Sequence, residues 1–410
     1  MSAAIRAGAP ERDATIPRRH VLAGLASGTL VAACAGSALS QPSGPPAPTG
    51  DSDRVLVLAN EAVPPEPGTG RKGASVHVAE YYAARRGIPP ANIIRLTIPL
   101  ACCASDPRAW DSWNISWEVF ERHIRTPLRR FLEAKQLTDR ILYLVSTYGV
   151  PLRVSGGPFA RLDGISIDSV LAALQGGRDE PVRNPYQTGV TDRSPRFRDW
   201  VNPLRWRMYL VTRLDGPSAH IATGLVDKAI TAEASLRTTD GIGYFDYRNL
   251  AGSDTYARAD RTVQNAYRLS VARGFTSVLN DQTRAGDMLR RAPRALWAWG
   301  WYSGPQTWEG YEFAEGAVGA QLTSYTATSV RTMLPGTWVP LWLRAGITAT
   351  WGATGEPTLH GYAMGDNLLN HLWMGYTFGE SSYLASPALN HMMVFVGDPL
   401  YAPRIFQSAS

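Results

Sequence analysis

The feature that most constrains this chain is a repeated alternation of short apolar runs with segments of helical period. "RVLVLAN" at 54–60 is short and rich in β-branched and aliphatic residues, so it reads as a buried strand. A Pro/Gly loop follows. Apolar residues then recur at helical spacing over 76–86, and Gly87-Ile88-Pro89-Pro90 stops that helix. Residues 92–98 form the next strand. Residues 113–134 form a long helix that Pro127 kinks or divides, and "RILYLVS" at 140–146 is a third strand. The later half repeats the theme. "MYLVTRL", "GIGYFDY", "ALWAWGWYS", "AVGAQLTSYT" and "GITATWGAT" read as strands, with helices over 221–237 and 257–274. This alternation implies an α/β fold, a mostly parallel sheet flanked by helices on both faces.

The 410 residues allow one large or two ordinary domains. Residues 54–406 read as the α/β domain, with 54–240 and 241–406 as subdomains within it. Residues 155–207 interrupt the alternation. They are rich in Gly, Pro, Arg and Asp, with a short helical stretch at 169–174, as in a lid, a binding loop or a disordered insertion.

The first 40 residues read as processing sequence. Arg18-Arg19 precedes an apolar stretch at 23–33, a twin-arginine export pattern. Val31-Ala32-Ala33-Cys34 resembles a bacterial lipobox, which implies a signal peptide over 1–33 and lipidation of Cys34. The alternative is a plain signal peptide cut after Ser40. Residues 34–53, nearly devoid of large apolar side chains, read as a disordered tether. The expectation is a protein in the periplasm or on the cell surface, held to a membrane by a lipid anchor. No run of 18 apolar residues marks any other membrane span.

The formal charge is +6, but no basic stripe with interleaved aromatics is present, which argues against nucleic acid. Gly68-Thr69-Gly70-Arg71-Lys72-Gly73 matches G-x-G-x-x-G. A dinucleotide site needs that turn tight against its strand, and "EAVPPEP" intervenes. No cofactor is expected. Of three cysteines, Cys102 and Cys103 are adjacent and could close only a strained, labile ring. They read as two small residues at a strand end, with a redox role as the alternative. No His pair has metal-ligand spacing, so no metal is expected.

Active sites of open α/β sheets lie at the carboxyl ends of strands. The apolar run "WAWGW" ends in Tyr302-Ser303-Gly304-Pro305, which delivers small polar groups to such an edge. Ser324 ends the next apolar run. Glu356 and His360 follow "GITATWGAT" in a Gly-rich loop, where a carboxylate and an imidazole can act as acid and base. The alternative for these two is a solvated loop. Arg213 and Asp215 end "YLVTRLDGP", and Asp168 follows "GISI" in the insertion. With Trp301 they are candidates to bind a polar ligand such as a peptide or glycan, against structural roles in turns, caps and core. Trp297, Trp299, Trp308 and Tyr311 are weighed the same way, as core filling against a sugar-binding surface.

Several segments together, "YYAARRGIPPANIIRL", "ILYLVSTYGVPLRV", "YLVTRLDGP", "FAEGAVGAQLTSYTA", "WLRAGITATWGATGEP" and "VFVGDPLYAP", resemble a family of exported bacterial proteins found in genomes with PEP-CTERM sorting systems. That family brings no established activity. One departure is Tyr148 before Gly149, where the family pattern has Lys. The last third is similar in order to gingipain-type cysteine peptidases of caspase-like fold. "WAWGWYSG" stands where that family has a His-Gly strand, and "AVGAQLTSYTA" where it has the Cys strand; Gly397-Asp398-Pro399 closes the order. The resemblance implies a caspase/gingipain-like second half. The chain offers Trp301, Tyr302 and Ser303 in place of the His, and Thr323, Ser324 or Tyr325 in place of the Cys. Two readings follow. One is a peptidase-like scaffold that binds a peptide, a glycan or an envelope protein without conventional catalysis. The other is a hydrolase with a hydroxyl nucleophile, drawing on Tyr302, Ser303, Ser324, Glu356 and His360, since a Ser hydroxyl needs an adjacent base.

Overall fold

The computed structural model describes residues 51–100, 114–177, 179–190, 208–282, 289–301, 310–334 and 336–405. The first half supplies β1 (Val55–Asn60), β2 (Ile93–Leu96), β3 (Asn114–Ser116), β4 (Tyr143–Thr147), β5 (Arg153–Ser155), β6 (Ile165–Ser166), β7 (Val182–Arg183) and β8 (Leu210–Leu214). The second half supplies β9 (Ile242–Tyr247), β10 (Ser277–Asp281), β11 (Ala292–Trp301), β12 (Tyr311–Leu322), β13 (Ala349–Ala353), β14 (Ala388–Leu389) and β15 (Met393–Val396). Ten of these form one sheet in the order β10-β9-β11-β12-β13-β15-β8-β4-β1-β2. A single sheet therefore runs through both halves.

Every residue of β1, β4, β8, β13 and β15 is buried, so both faces of these strands are covered. That is the burial a parallel sheet requires, and it explains why these runs show no polar alternation. All neighbouring pairs in the large sheet are parallel except β13 with β15. β15 runs antiparallel to β13 but parallel to β8. The strands on its two sides therefore point in opposite directions, and their carboxyl ends open on opposite edges of the sheet.

Helices flank the sheet. Ala74–Arg86 packs against β1, and Ala219–Ser235 against β12. The helix expected over 113–134 starts only at Trp117, because Asn114–Ser116 pairs as β3, and from there it runs on past Pro127. A π turn at Glu121–Arg125 precedes Thr126–Ala134, which opens with Pro127 near its start. The wider turn absorbs the proline without breaking the helix. β10 has no counterpart in the sequence reading. It is a half-exposed edge strand, so it carries no continuous apolar run. Aromatic residues fill the second half: Trp297, Trp299, Trp338, Trp342 and Trp351 are fully buried, and Trp299 stacks on Trp351 at 5.8 Å. Trp297, Trp299 and Tyr311 are thus core filling, not sugar surface. Trp308 lies outside the described residues. Among the described residues no helix is long and apolar enough to cross a membrane.

Candidate functional site

The sheet reversal leaves β9, β11, β12 and β13 side by side with their carboxyl ends on one edge. Each ends, or is followed within a few residues, by a side chain that lines one cleft of about 420 Å³. Arg248 follows β9, Trp301 ends β11, Thr323 and Ser324 follow β12, and Glu356 and His360 follow β13. This is the position where open α/β sheets bind ligands.

Two turns build the floor. β12 ends at Leu322, earlier than the apolar run suggests, so Thr323, Ser324 and Tyr325 lie in the turn beyond it. Tyr325 adopts φ 61°, a left-handed conformation, and its N–H donates to Gly355 O at 2.9 Å. Ala327 N–H donates to Ala353 O at 2.9 Å, so the two turns run locked together. Tyr362 donates its hydroxyl proton to Gln321 O at 2.9 Å, and burial pushes that phenol well above its ordinary range. It is a fixed floor, not a base.

Glu356 and His360 stand exposed on the β13 side. Glu356 Oε1 accepts from Thr358 N–H at 3.0 Å, and Thr358 itself sits at φ 55°. His360 N–H meets Thr358 Oγ1 at 3.3 Å. Among the described residues no hydrogen bond joins Ser324 Oγ to Glu356 or His360. The three groups share a cleft without forming a preassembled triad. On the β9 side, Arg248 lies over the Trp301 ring at 5.4 Å, and Tyr256 stacks on the same ring at 6.1 Å and 15°. Among the described residues, Trp301 Nε1 and Thr323 Oγ1 are buried without a hydrogen-bond partner.

The structure therefore brings together Ser324, Glu356, His360 and Trp301. Arg213, Asp215 and Asp168, expected at a ligand, lie elsewhere and do not line the cleft. Arg213 is 0 % exposed and donates to Asp168 at 2.7 and 2.9 Å and to Asp215 at 2.9 Å. Arg331 clasps Asp215 from the other side at 2.8 and 2.7 Å. Two guanidinium and two carboxylate groups thus close a neutral, buried network that ties β8, the 167–172 helix and the segment after β12 together. These side chains are occupied in holding the fold. Asp398 is likewise buried, against Arg86 at 2.6 Å and Tyr82 at 2.8 Å. Tyr302, Ser303, Cys34, Cys102 and Cys103 lie outside the described residues. Among the described residues no three His, Cys, Asp or Glu side chains converge to hold a metal.

Arg248, Tyr256 and Arg331 escaped the sequence reading. Arg248 could have been found, because it directly follows the apolar strand "GIGYFDY". Arg331 could not, since nothing local links it to Asp215.

Fold and site together define an α/β protein with a strand-end cleft that holds an acid, an imidazole and a hydroxyl. No family model matches the chain, and no curated protein matches it. Solved structures do. The complex of Porphyromonas gingivalis RgpB pro- and mature domains is 12% identical, with 86% of this chain and 80% of that chain covered and a TM-score of 0.45. The Arg-specific cysteine proteinase gingipain R (RGPB) is 12% identical over 87% and 79% of the two chains, with a TM-score of 0.45. The likeness is structural and at low identity, and it lends no support to the PEP-CTERM-associated family.

Proposed function

We propose that the cleft is the active site of a hydrolase with a hydroxyl nucleophile. Ser324 Oγ attacks an acyl carbon while His360 takes its proton; Glu356 stabilises the imidazolium so formed, which then gives that proton to the leaving group as its bond to the acyl carbon breaks. Water then attacks the acyl-serine, with His360 accepting a proton from that water and returning it to Ser324 Oγ as the acyl–oxygen bond breaks. The observation that carries this reading is the convergence of Ser324, Glu356 and His360 in one cleft at the carboxyl edge. Base and nucleophile often close to hydrogen-bond reach only around bound substrate. A fluorophosphonate probe should label the purified chain at Ser324, and Ser324→Ala and His360→Gln should abolish the label. Labelling that survives Ser324→Ala would overturn this assignment.

A second reading is favoured by the missing hydrogen bond between Ser324 and either partner. In it the cleft binds a peptide, a glycan or an envelope protein without chemistry. The absence of labelling together with retained ligand binding would select it.

The address proposed for the chain is the cell envelope, after twin-arginine export, with Cys34 lipidated and residues 34–53 as tether. Metabolic labelling with a palmitate analogue tests this. Incorporation that persists in Cys34→Ser would refute lipidation at that residue.

A further inference from the structure

One wall of the cleft carries a cation and an exposed aromatic ring. Arg248 lies over Trp301 at 5.4 Å, and among the described residues its guanidinium makes no hydrogen bond or ion pair. Its backbone is held firmly, because Asp260 accepts from Arg248 N–H at 2.7 Å and from Leu250 N–H at 2.8 Å. Beside it, the 18-residue helix Thr255–Ala272 points its first turn at the cleft, with Thr255 and Tyr256 in the lining. That helix end already carries an anion, because the Asp254 carboxylate caps it. Among the described residues neither neighbouring acid pairs with this guanidinium. Asp254 caps the helix by accepting from Ala257 N–H at 2.7 Å, and Asp260 is spent on the loop backbone. Glu356 follows β13, with β11 and β12 between it and β9. Tyr256, stacked on Trp301, is 58 % exposed and offers an open aromatic face in the same cleft.

We propose that this wall is an anion subsite and that its ligand is a sugar ring carrying a carboxylate. One guanidinium fork matches one carboxylate in charge and geometry. A phosphate monoester would bring nearly two charges to a single cation. The exposed Tyr256 ring packs against the apolar face of a sugar, a contact that an acidic peptide side chain does not need. The inference deepens the hydrolase reading by naming its substrate class, and it rests on that reading only for the chemistry.

Calorimetric titration of the full chain tests it, with trigalacturonate as probe and three comparison ligands: neutral galactotriose, galactose 6-phosphate and an acetylated Ala-Glu-Ala peptide. Trigalacturonate should bind and the neutral sugar should bind far more weakly. Arg248→Gln should weaken trigalacturonate roughly ten- to hundredfold, as loss of a charged hydrogen-bonding partner does. Arg248→Lys should recover part of the loss, and Tyr256→Ala should weaken binding as well. Melting temperatures of the variants identify any that fail to fold, and Arg248→Lys keeps the cation over Trp301. Equal binding of charged and neutral sugars would overturn the proposal. So would unchanged affinity in Arg248→Gln, or tighter binding of the phosphate or the peptide. Ser324→Ala should retain trigalacturonate affinity. Binding without any ester hydrolysis would sink the hydrolase reading and leave this one standing. Hydrolysis of uncharged esters with a KM unmoved by Arg248→Gln would do the reverse.

Discussion

Replacing Arg331 by Met should destabilise the fold by about 3–5 kcal/mol, the cost of stranding a buried partner charge. The side chain of Arg331 is 4% exposed and that of Asp215 is 0% exposed. The pair is bidentate, with Nε to Oδ1 at 2.8 Å and Nη2 to Oδ2 at 2.7 Å. Without Arg331, Asp215 keeps Arg213 at 2.9 Å and the Gly216 N–H at 2.9 Å. Asp168 and Asp215 would then share the single cation Arg213, leaving one uncompensated negative charge out of water. A surface pair would lose no more than about 1 kcal/mol. Urea unfolding at pH 7, followed by far-UV circular dichroism, measures the loss. A double-mutant cycle with Asp215→Asn isolates the coupling. Asp215→Asn removes the stranded charge, so the double variant should lose less than the sum of the singles by at least about 1 kcal/mol. A loss below about 1 kcal/mol for Arg331→Met, or strict additivity in the cycle, would refute the claim that this network acts as a unit.

Three further outcomes are expected. Burial pushes the carboxyls of Asp246 and Asp366 from 3.8 up to about 6, against hydrogen bonds from Asn280 and Leu289 in one case and Asn265 and Asn367 in the other. A carboxyl whose folded pKa is raised stabilises the fold fully below about pH 4 and loses that contribution as pH climbs through about 6, worth about 3 kcal/mol at roughly 1.4 kcal/mol per pKa unit. Asp366→Asn should therefore gain on the natural chain as pH rises from 4 to 7. A pH-independent stability difference between the two in urea titrations would contradict the burial argument. Gly365→Ala would set a Cβ 2.3 Å from the Trp299 ring, so thermal melts should show about 1–3 kcal/mol of overpacking. An unperturbed melt would mean that the ring has room to move. Thr377→Ala removes a complete capping box, in which Thr377 Oγ1 accepts from Glu380 N–H at 3.1 Å and Glu380 Oε2 accepts from Thr377 N–H at 2.9 Å. It should cost about 0.5–2 kcal/mol, read from the shift in urea midpoint.

Buried strands and amphipathic helices were legible because their signals are local. Val55–Asn60, Tyr143–Thr147 and Ala349–Ala353 are unbroken apolar or small-residue runs, and each is buried on both faces. Elements with weaker signals escaped. Ser277–Asp281 is half-exposed, and Phe378–Ala385 is short and buried all round. The cleft was partly legible, because Ser324, Glu356 and His360 each sit just past a recognisable strand.

The division of the candidates into cleft and network was not legible, and the reason is a single non-local pairing. Arg213 and Asp215 end β8 in the same way that Ser324 follows β12, so strand-end logic ranks them equally. What separates them is β15, which joins β8 in parallel through Val396 and Arg213 and joins β13 antiparallel from Thr350 to Ala353. That one reversal puts the carboxyl end of β8 on the edge opposite the cleft. There Arg213 meets Asp168 from the insertion and, through Asp215, Arg331, which is 118 residues further along the chain than Arg213. A charged group at a strand end becomes a ligand contact or a structural tie according to which edge it reaches, and the edge is set by the direction of strands far away in sequence. Arg331 shows the same dependence from the other side. It follows Ser324 by seven residues, yet the segment between them doubles back along β13, with Tyr325 and Ala327 bonded to Gly355 and Ala353, and carries the guanidinium to Asp215. The turn that presents Ser324 to the cleft is thereby anchored in the buried ion network, so the two groups of residues that the sequence could not tell apart are mechanically joined without sharing a site.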